Sequence, residues 1–113
     1  MLEKISYMIM LKDFYGPLLT PKQQDILNLY YENDLSLTEI AANQNVTRQA
    51  VYDIVKRAEK ALQEYEKRLG LVEKFMNDRN EIHKAYMLLD SKEPEKDSIS
   101  KAIKILKKVI ELV

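Results

Sequence analysis

The sequence predicts an all-α fold, and three observations predict it. Helix formers (Leu, Lys, Glu, Ala, Gln and Met) dominate the 113 residues. Only two glycines and three prolines interrupt them. Apolar residues recur at spacings of three and four, and runs of alternating β-branched residues are missing. The length suits one compact domain with an appended arm, whose stability margin would gain from oligomerisation.

The first helix is expected from about Leu2 to Tyr15. Ile5, Met8, Ile9 and Lys12 share one face, and Tyr7, Met10, Leu11 and Phe14 add apolar surface around it, so the helix should be covered on several sides. Gly16-Pro17 ends it, because proline disfavours helix in the residue before it. A second helix starts at Thr20-Pro21: Thr20 is the N-cap, Pro21 takes the first helical position, and Gln23 completes a capping box. Ile26, Leu27, Leu29, Tyr30 and Tyr31 supply its buried face, and Asn33-Asp34 reads as its end.

Ser36-Leu37-Thr38-Glu39 is a second capping box. It opens a short helix whose Leu37, Ile40 and Ala41 point inward. Asn43-Gln44-Asn45 is a turn, with Asn45 the residue best able to turn left-handed. Val46 plugs the corner, and Thr47 caps a helix whose Val51, Ile54 and Val55 face back. Val51, Val55, Ala58, Leu62, Tyr65, Leu69, Val72 and Met76 then continue at alternating spacings of four and three, an a/d seam over about three heptads. Gly70 interrupts it. Either the helix runs through Gly70 or it stops there and another begins at Leu71. Ile82, Tyr86 and Leu89 continue an apolar stripe. SKEPEKD, residues 91–97, is a polar loop. Asp97 or Ser98 should cap a last helix with Ile99, Ile103, Leu106 and Ile110 as its main stripe and Ile105 and Leu112 off it.

Residues 37–57 meet the requirements of a helix-turn-helix. The second helix must cross the first steeply, which needs a tight turn and a small residue at the closest approach. Apolar residues must lock the corner, while the outer face stays polar to enter a major groove. Ala41 is the small residue, Asn45 lies in the turn, Val46 is the plug, and Val51 and Ile54 are the locks.

The stretch LTPKQQDILNLYYENDLSLTEIAANQNVTRQAVYDIVKRAEKAL resembles region 4 of bacterial sigma factors. The chain is still more similar to the YlxM-like family of small bacterial proteins with such a helix-turn-helix. The carrying motifs are FYGPLLTPKQQDILNLYY, DLSLTEIA and VTRQAVYD, and the likeness is dense over residues 1–69. The resemblance implies a sigma-region-4-like helix-turn-helix domain with a C-terminal helical extension, working in the bacterial cytoplasm as a regulator. Through the placement of family genes beside those of the signal recognition particle, it also implies a part in that pathway and its components as partners. Asn45 stands where many such motifs carry glycine, and asparagine tolerates the same backbone geometry.

Arg48 and Gln49 lie at the N-terminal end of the second helix, the part that reaches base edges. Arginine pairs with guanine and glutamine with adenine through two bonds each. Tyr52, one turn later, can meet a thymine methyl or a phosphate. Lys56, Arg57 and Lys60 should follow the backbone and add salt-dependent affinity. Thr38 is placed for a phosphate at a helix start, and Thr47 stands beside Arg48. Asp53 dissents: it repels phosphate unless it accepts from a cytosine or pairs with Arg57.

Charge tempers this reading. Basic and acidic residues balance at 18 each, and residues 48–68 hold six basic and four acidic side chains. A protein without net positive charge gains from pairing two readers on one duplex. The expected organisation is therefore a helix-turn-helix domain over residues 1–69 and a dimerising arm over residues 70–113. DNA is the expected partner, with RNA as the alternative ligand. A rival class is an accessory module of the protein-targeting machinery that binds protein or structured RNA; neutral charge and Asp53 favour it.

Enzymatic chemistry has little to stand on. There is no cysteine and one histidine, His83, so no shared metal site of those residues can form. The glycines, Gly16 and Gly70, make no phosphate loop. No cofactor is expected. The N-terminal apolar run lacks a small-residue cleavage site, and no stretch approaches the roughly 20 apolar residues of a membrane span.

Overall fold

The computed structural model describes residues 2–111. Among them are six α-helices and one 3-10 turn, with no strand. The helices are α1 (Leu2–Tyr15), α2 (Pro21–Tyr31), α3 (Leu37–Gln44), α4 (Arg48–Leu69), α5 (Leu71–Leu89) and α6 (Lys96–Glu111); the 3-10 turn, Gly16–Leu18, follows α1. The chain forms two compact units, one up to Val72 and the other from Glu73.

Local chemistry starts the first unit's helices where the sequence says. Thr20 Oγ1 accepts from the Gln23 N–H at 3.2 Å, and the Gln23 side chain returns a bond to the Thr20 N–H at 3.1 Å. Ser36 and Glu39 repeat this reciprocal cap at 3.1 Å in both directions. Those backbone bonds hold the exposed Glu39 carboxyl below the usual range. α2 ends at Tyr31 with Glu32 as its C-cap, directly before the Asn33-Asp34 signal, and Asp34 supplies the left-handed turn at φ 57°.

α4 is the helix on which the unit is built, for it packs against α1, α2 and α3. Its Val51, Val55, Ala58 and Leu62 are buried among Met8, Leu11 and Tyr15 of α1, Ile26 and Leu27 of α2, and Ile40 and Ala41 of α3. Ile54, expected to face back with them, is half-buried at the edge.

The side chains of α1 sort differently from the sequence expectation. Ile5 is half exposed, whereas Lys12 is buried and reaches Glu32 Oε1 at 2.5 Å. A lysine stem covers apolar surface well, and an ammonium beside the last turn of α2 meets that helix's negative end.

The long seam does not become a coiled coil. Gly70 takes the left-handed conformation (φ 62°) and caps α4, its N–H donating to the Glu66 carbonyl at 2.8 Å. α5 begins at once, and its first amide N–H groups need acceptors. The Tyr15 hydroxyl accepts from the Leu71 N–H at 3.1 Å, and Glu66 Oε1 accepts from the Val72 N–H at 3.0 Å. Tyr15 in turn donates to Glu66 Oε1 at 2.5 Å. A carboxylate here also suits the positive end of α5. Around the break the seam changes character: Leu69, the last residue of α4, is 54% exposed and Met76 45% exposed, while Val72 is buried in the core.

In the second unit α6 starts earlier than expected, at Lys96, so Asp97 and Ser98 sit in its first turn instead of capping it. Its covered residue is Ala102, with Ser98, Ile105, Leu106 and Val109 half-buried. Ile99, Ile103 and Ile110 of the expected main stripe are exposed. Ile105 therefore belongs to the covered side. Leu112 lies outside the described residues.

Replacing Tyr15→Phe keeps the ring and removes the hydroxyl on which Leu71 and Glu66 meet. The expected loss is about 1–3 kcal/mol in urea unfolding, since a buried N–H is left without its acceptor.

Candidate nucleic-acid interface

The corner between α3 and α4 is three residues, Asn45 to Thr47. Asn45 is left-handed (φ 55°, ψ 44°), its N–H donates to the Ala41 carbonyl, and the Val46 N–H reaches the same carbonyl at 3.1 Å. Ala41 is buried, and Val46 packs on the core as the expected plug. Thr47 Oγ1 accepts from the Ala50 N–H at 3.0 Å. Its hydroxyl proton stays free to donate outward.

Thr38, Thr47, Arg48, Gln49, Tyr52, Asp53, Lys56, Arg57 and Lys60 are all exposed. On α4, Gln49, Tyr52, Asp53, Lys56 and Lys60 fall within one broad stripe opposite Val51, Val55, Ala58 and Leu62. Arg48 stands at the first position of the helix, and Arg57 at the stripe's far edge. Thr38 belongs to the first turn of α3.

Within the stripe Asp53 is held by Gln49, whose Nε2 donates to Asp53 Oδ1 at 3.0 Å. Of the two alternatives for Asp53, acceptance from a cytosine or a pair with Arg57, the second is not the bond formed within the chain. The bond uses one amide hydrogen of Gln49. Its second amide hydrogen and its carbonyl remain, the donor and acceptor that an adenine edge requires. Lys56 leans over the Tyr52 ring, 5.6 Å from its centroid, and lies 3.6 Å from Glu59 Oε1.

The acidic residues near this face do more structural work than their spacing suggests. Glu59 accepts from the Tyr31 hydroxyl of α2, and its side chain is largely buried. Glu66 is engaged with Tyr15 and Val72. Of the four carboxylates between residues 48 and 68, only Asp53 and Glu64 are exposed, against six exposed basic side chains. Sequence reading missed Tyr31 and Glu59; the three-residue spacing of Lys56 and Glu59 was the available signal, but nothing local points to Tyr31. A cavity of about 330 Å³ opens beside Lys56 and Glu59, with Lys4, Tyr30, Tyr31 and Asp34 also in its wall. Its charges are mixed, so it favours neither anion nor cation.

A family model for helix-turn-helix proteins described as YlxM / p13 like, UPF0122, matches residues 2–106. The chain belongs to this family. A UPF0122 protein of Desulforamulus reducens is 48% identical over 104 residues, which are 90% of this chain and 89% of that protein. UPF0122 proteins of Bacillus mycoides and Bacillus cereus are 43% and 42% identical over 109 residues, 96% of this chain and 99% of each relative. The UPF0122 match carries the likeness past the dense region of residues 1–69 into α6. It describes a helix-turn-helix family, not an enzyme class. No group of metal-binding side chains occurs among the described residues, and no helix there is long and apolar enough to cross a membrane.

Asn45→Ala should cost about 1–2 kcal/mol, because a β-carbon is strained in the left-handed region, while Asn45→Gly should cost little; thermal unfolding of the two variants checks this. Burial and the neighbouring carboxylate push the phenols of Tyr15 and Tyr31 above their ordinary value of 10.0. The folded chain keeps both protons where the unfolded chain releases them. Stability is thus complete below pH 10 and falls as pH rises beyond it, and Tyr31→Phe should lessen that fall in urea midpoints measured on either side of about pH 10.

Proposed function

We propose that this protein is a cytoplasmic regulator that binds nucleic acid through the exposed stripe of α4 and acts as a homodimer. One observation carries the reading: residues 48–68 expose six basic side chains, Lys56 and Lys60 among them on the face opposite the buried seam of α4, while two of the four carboxylates in that span are drawn into structural hydrogen bonds. Arg48 and Gln49 read base edges from the first turn, Tyr52 adds a methyl or phosphate contact, and Lys56, Arg57 and Lys60 follow the phosphates. Thr38 and Thr47 donate to phosphate oxygens at the two helix starts. Duplex DNA is the favoured ligand, because a polar helix face raised above a tight corner suits a major groove; RNA helices bury theirs too deeply.

From its likeness to YlxM-like proteins we infer that this regulator takes part in the signal recognition particle pathway. The second reading, an accessory module that binds protein or structured RNA of that machinery, is favoured by zero net charge and by Asp53 on the stripe. Co-purification separates the two: targeting-particle components recovered without enriched DNA support the second.

Selection from random duplexes with the full chain should return a preferred sequence. Arg48→Ala with Gln49→Ala should then erase that preference, by about 1–3 kcal/mol for each lost base pairing, while the salt-dependent background persists. An unchanged preference rules out base reading by these two side chains. Asp53→Asn should instead raise binding to all sequences, because it removes a negative charge facing phosphate.

A further inference from the structure

The cavity of about 330 Å³ beside α4 gathers charge of both signs. Lys4 comes from α1, Asp34 from the turn after α2, and Lys56 and Glu59 from α4. The pair on α4 is answered within the chain: Lys56 lies 3.6 Å from Glu59, and Glu59 also accepts from the Tyr31 hydroxyl. The other pair is not. Neither the Lys4 ammonium nor the Asp34 carboxylate has an ion-pair or hydrogen-bond partner among the described residues, although both line the same space. The rest of the wall is apolar and aromatic. Tyr30 and Tyr31 meet edge to face with ring centroids 5.0 Å apart, and Ile5 lines the cavity while 49% exposed.

These features select a class of ligand. A phosphate would meet two carboxylates. A metal cation would meet two lysines, and no group of three metal-binding side chains occurs among the described residues. A neutral apolar molecule would gain nothing from Lys4 or Asp34. A molecule with one ammonium, one carboxylate and a small apolar group uses every part of the wall, through charge-assisted bonds at one end and apolar contact at the other. The volume is at the small end of the roughly 300–1,000 Å³ of ligand pockets, which suits a metabolite of a few carbons. We propose that this cavity binds a free α-amino acid with an apolar side chain. Its ammonium meets Asp34, its carboxylate meets Lys4 and Lys56, and its side chain lies against Ile5 and the tyrosine rings. Lys56 also belongs to the exposed stripe of α4. Resting on the proposed function, the bound amino acid therefore competes with phosphate for the Lys56 ammonium, and nucleic acid weakens the amino acid by the same factor.

The test is a titration of the full chain followed by nuclear magnetic resonance, with leucine, isoleucine, methionine and phenylalanine as probes. At least one should shift the backbone amide signals of Lys4 and Leu35 saturably, with a Kd on the order of 1 mM or tighter. Glycine, N-acetyl-leucine and leucinamide, which lack the side chain, the ammonium and the carboxylate in turn, should each bind about tenfold more weakly or worse. Lys4→Met and Asp34→Asn should weaken binding by a similar factor. Both positions are exposed, and asparagine keeps the left-handed turn, so both variants should fold. Lys22→Met, an exposed lysine away from the cavity, should change nothing. No saturable shift with any of the four probes overturns the proposal. So does a truncated probe that binds as tightly as leucine, or full binding by both cavity variants. These readings need no nucleic acid, so the site and the proposed function fail separately. With the amino acid at saturation, the salt dependence of duplex binding should flatten by about one phosphate contact, as it should in Lys56→Met; an unchanged slope overturns the competition for Lys56.

Discussion

Burial of one face of α4 is the constraint on which the rest of the molecule depends. Val51, Val55, Ala58 and Leu62 are enclosed by three helices, and each side chain withdrawn from water stabilises the unit by an amount of order 1.5–3 kcal/mol for its larger members. That burial fixes the rotation of α4 about its own axis. Turning the helix to hide Gln49 or Lys56 would bring Val55 and Leu62 into water. The polar stripe is therefore displayed by the same packing that forms the core, and the left-handed residue at Asn45 sets where the helix begins relative to α3.

Electrostatics and packing are coupled through carboxylates. A chain without net charge is a weak attractor of phosphate, because long-range attraction follows the summed charge. Locally the balance differs. Glu59 holds Tyr31 of α2, Glu66 caps α5 and holds Tyr15 of α1, and Glu32 neutralises the buried Lys12. Each of these bonds ties two elements together. Two of them also draw negative charge away from the face that basic residues dominate. The Gln49–Asp53 pair is the remaining negative feature there, and it also fixes the orientation of the Gln49 amide.

Much of this was legible along the chain. Both capping boxes, the proline at the start of α2, the left-handed Asn45 and the Thr47 cap all depend on residues within a few positions of each other, and all are present. The buried face of α4 followed its spacing as far as Leu62. Beyond that the spacing left two outcomes open: a continuous a/d pattern crosses Gly70, although the helix does not. Spacing also favoured Ile99, Ile103 and Ile110 as the packed side of α6, whereas Ala102 and Ile105 lie on the covered side. Both stripes are apolar and evenly spaced, so periodicity cannot rank them. Asp53 has two residues at four-residue spacing, Gln49 before it and Arg57 after it; the sequence offered Arg57 as one alternative, and the structure bonds it to Gln49.

By itself the sequence determined the helices, their starts, the tight corner and the identity of the outward stripe, because these follow from bonds and side-chain directions within one or two turns. Tertiary structure decided where α4 stops, how Lys12 is buried, and which carboxylates leave the exposed face. Those outcomes rest on partners far apart in the chain, such as the Tyr15 hydroxyl and the Leu71 amide, 56 residues apart. A local pattern carries no information about such a partner until the backbone has brought the two together.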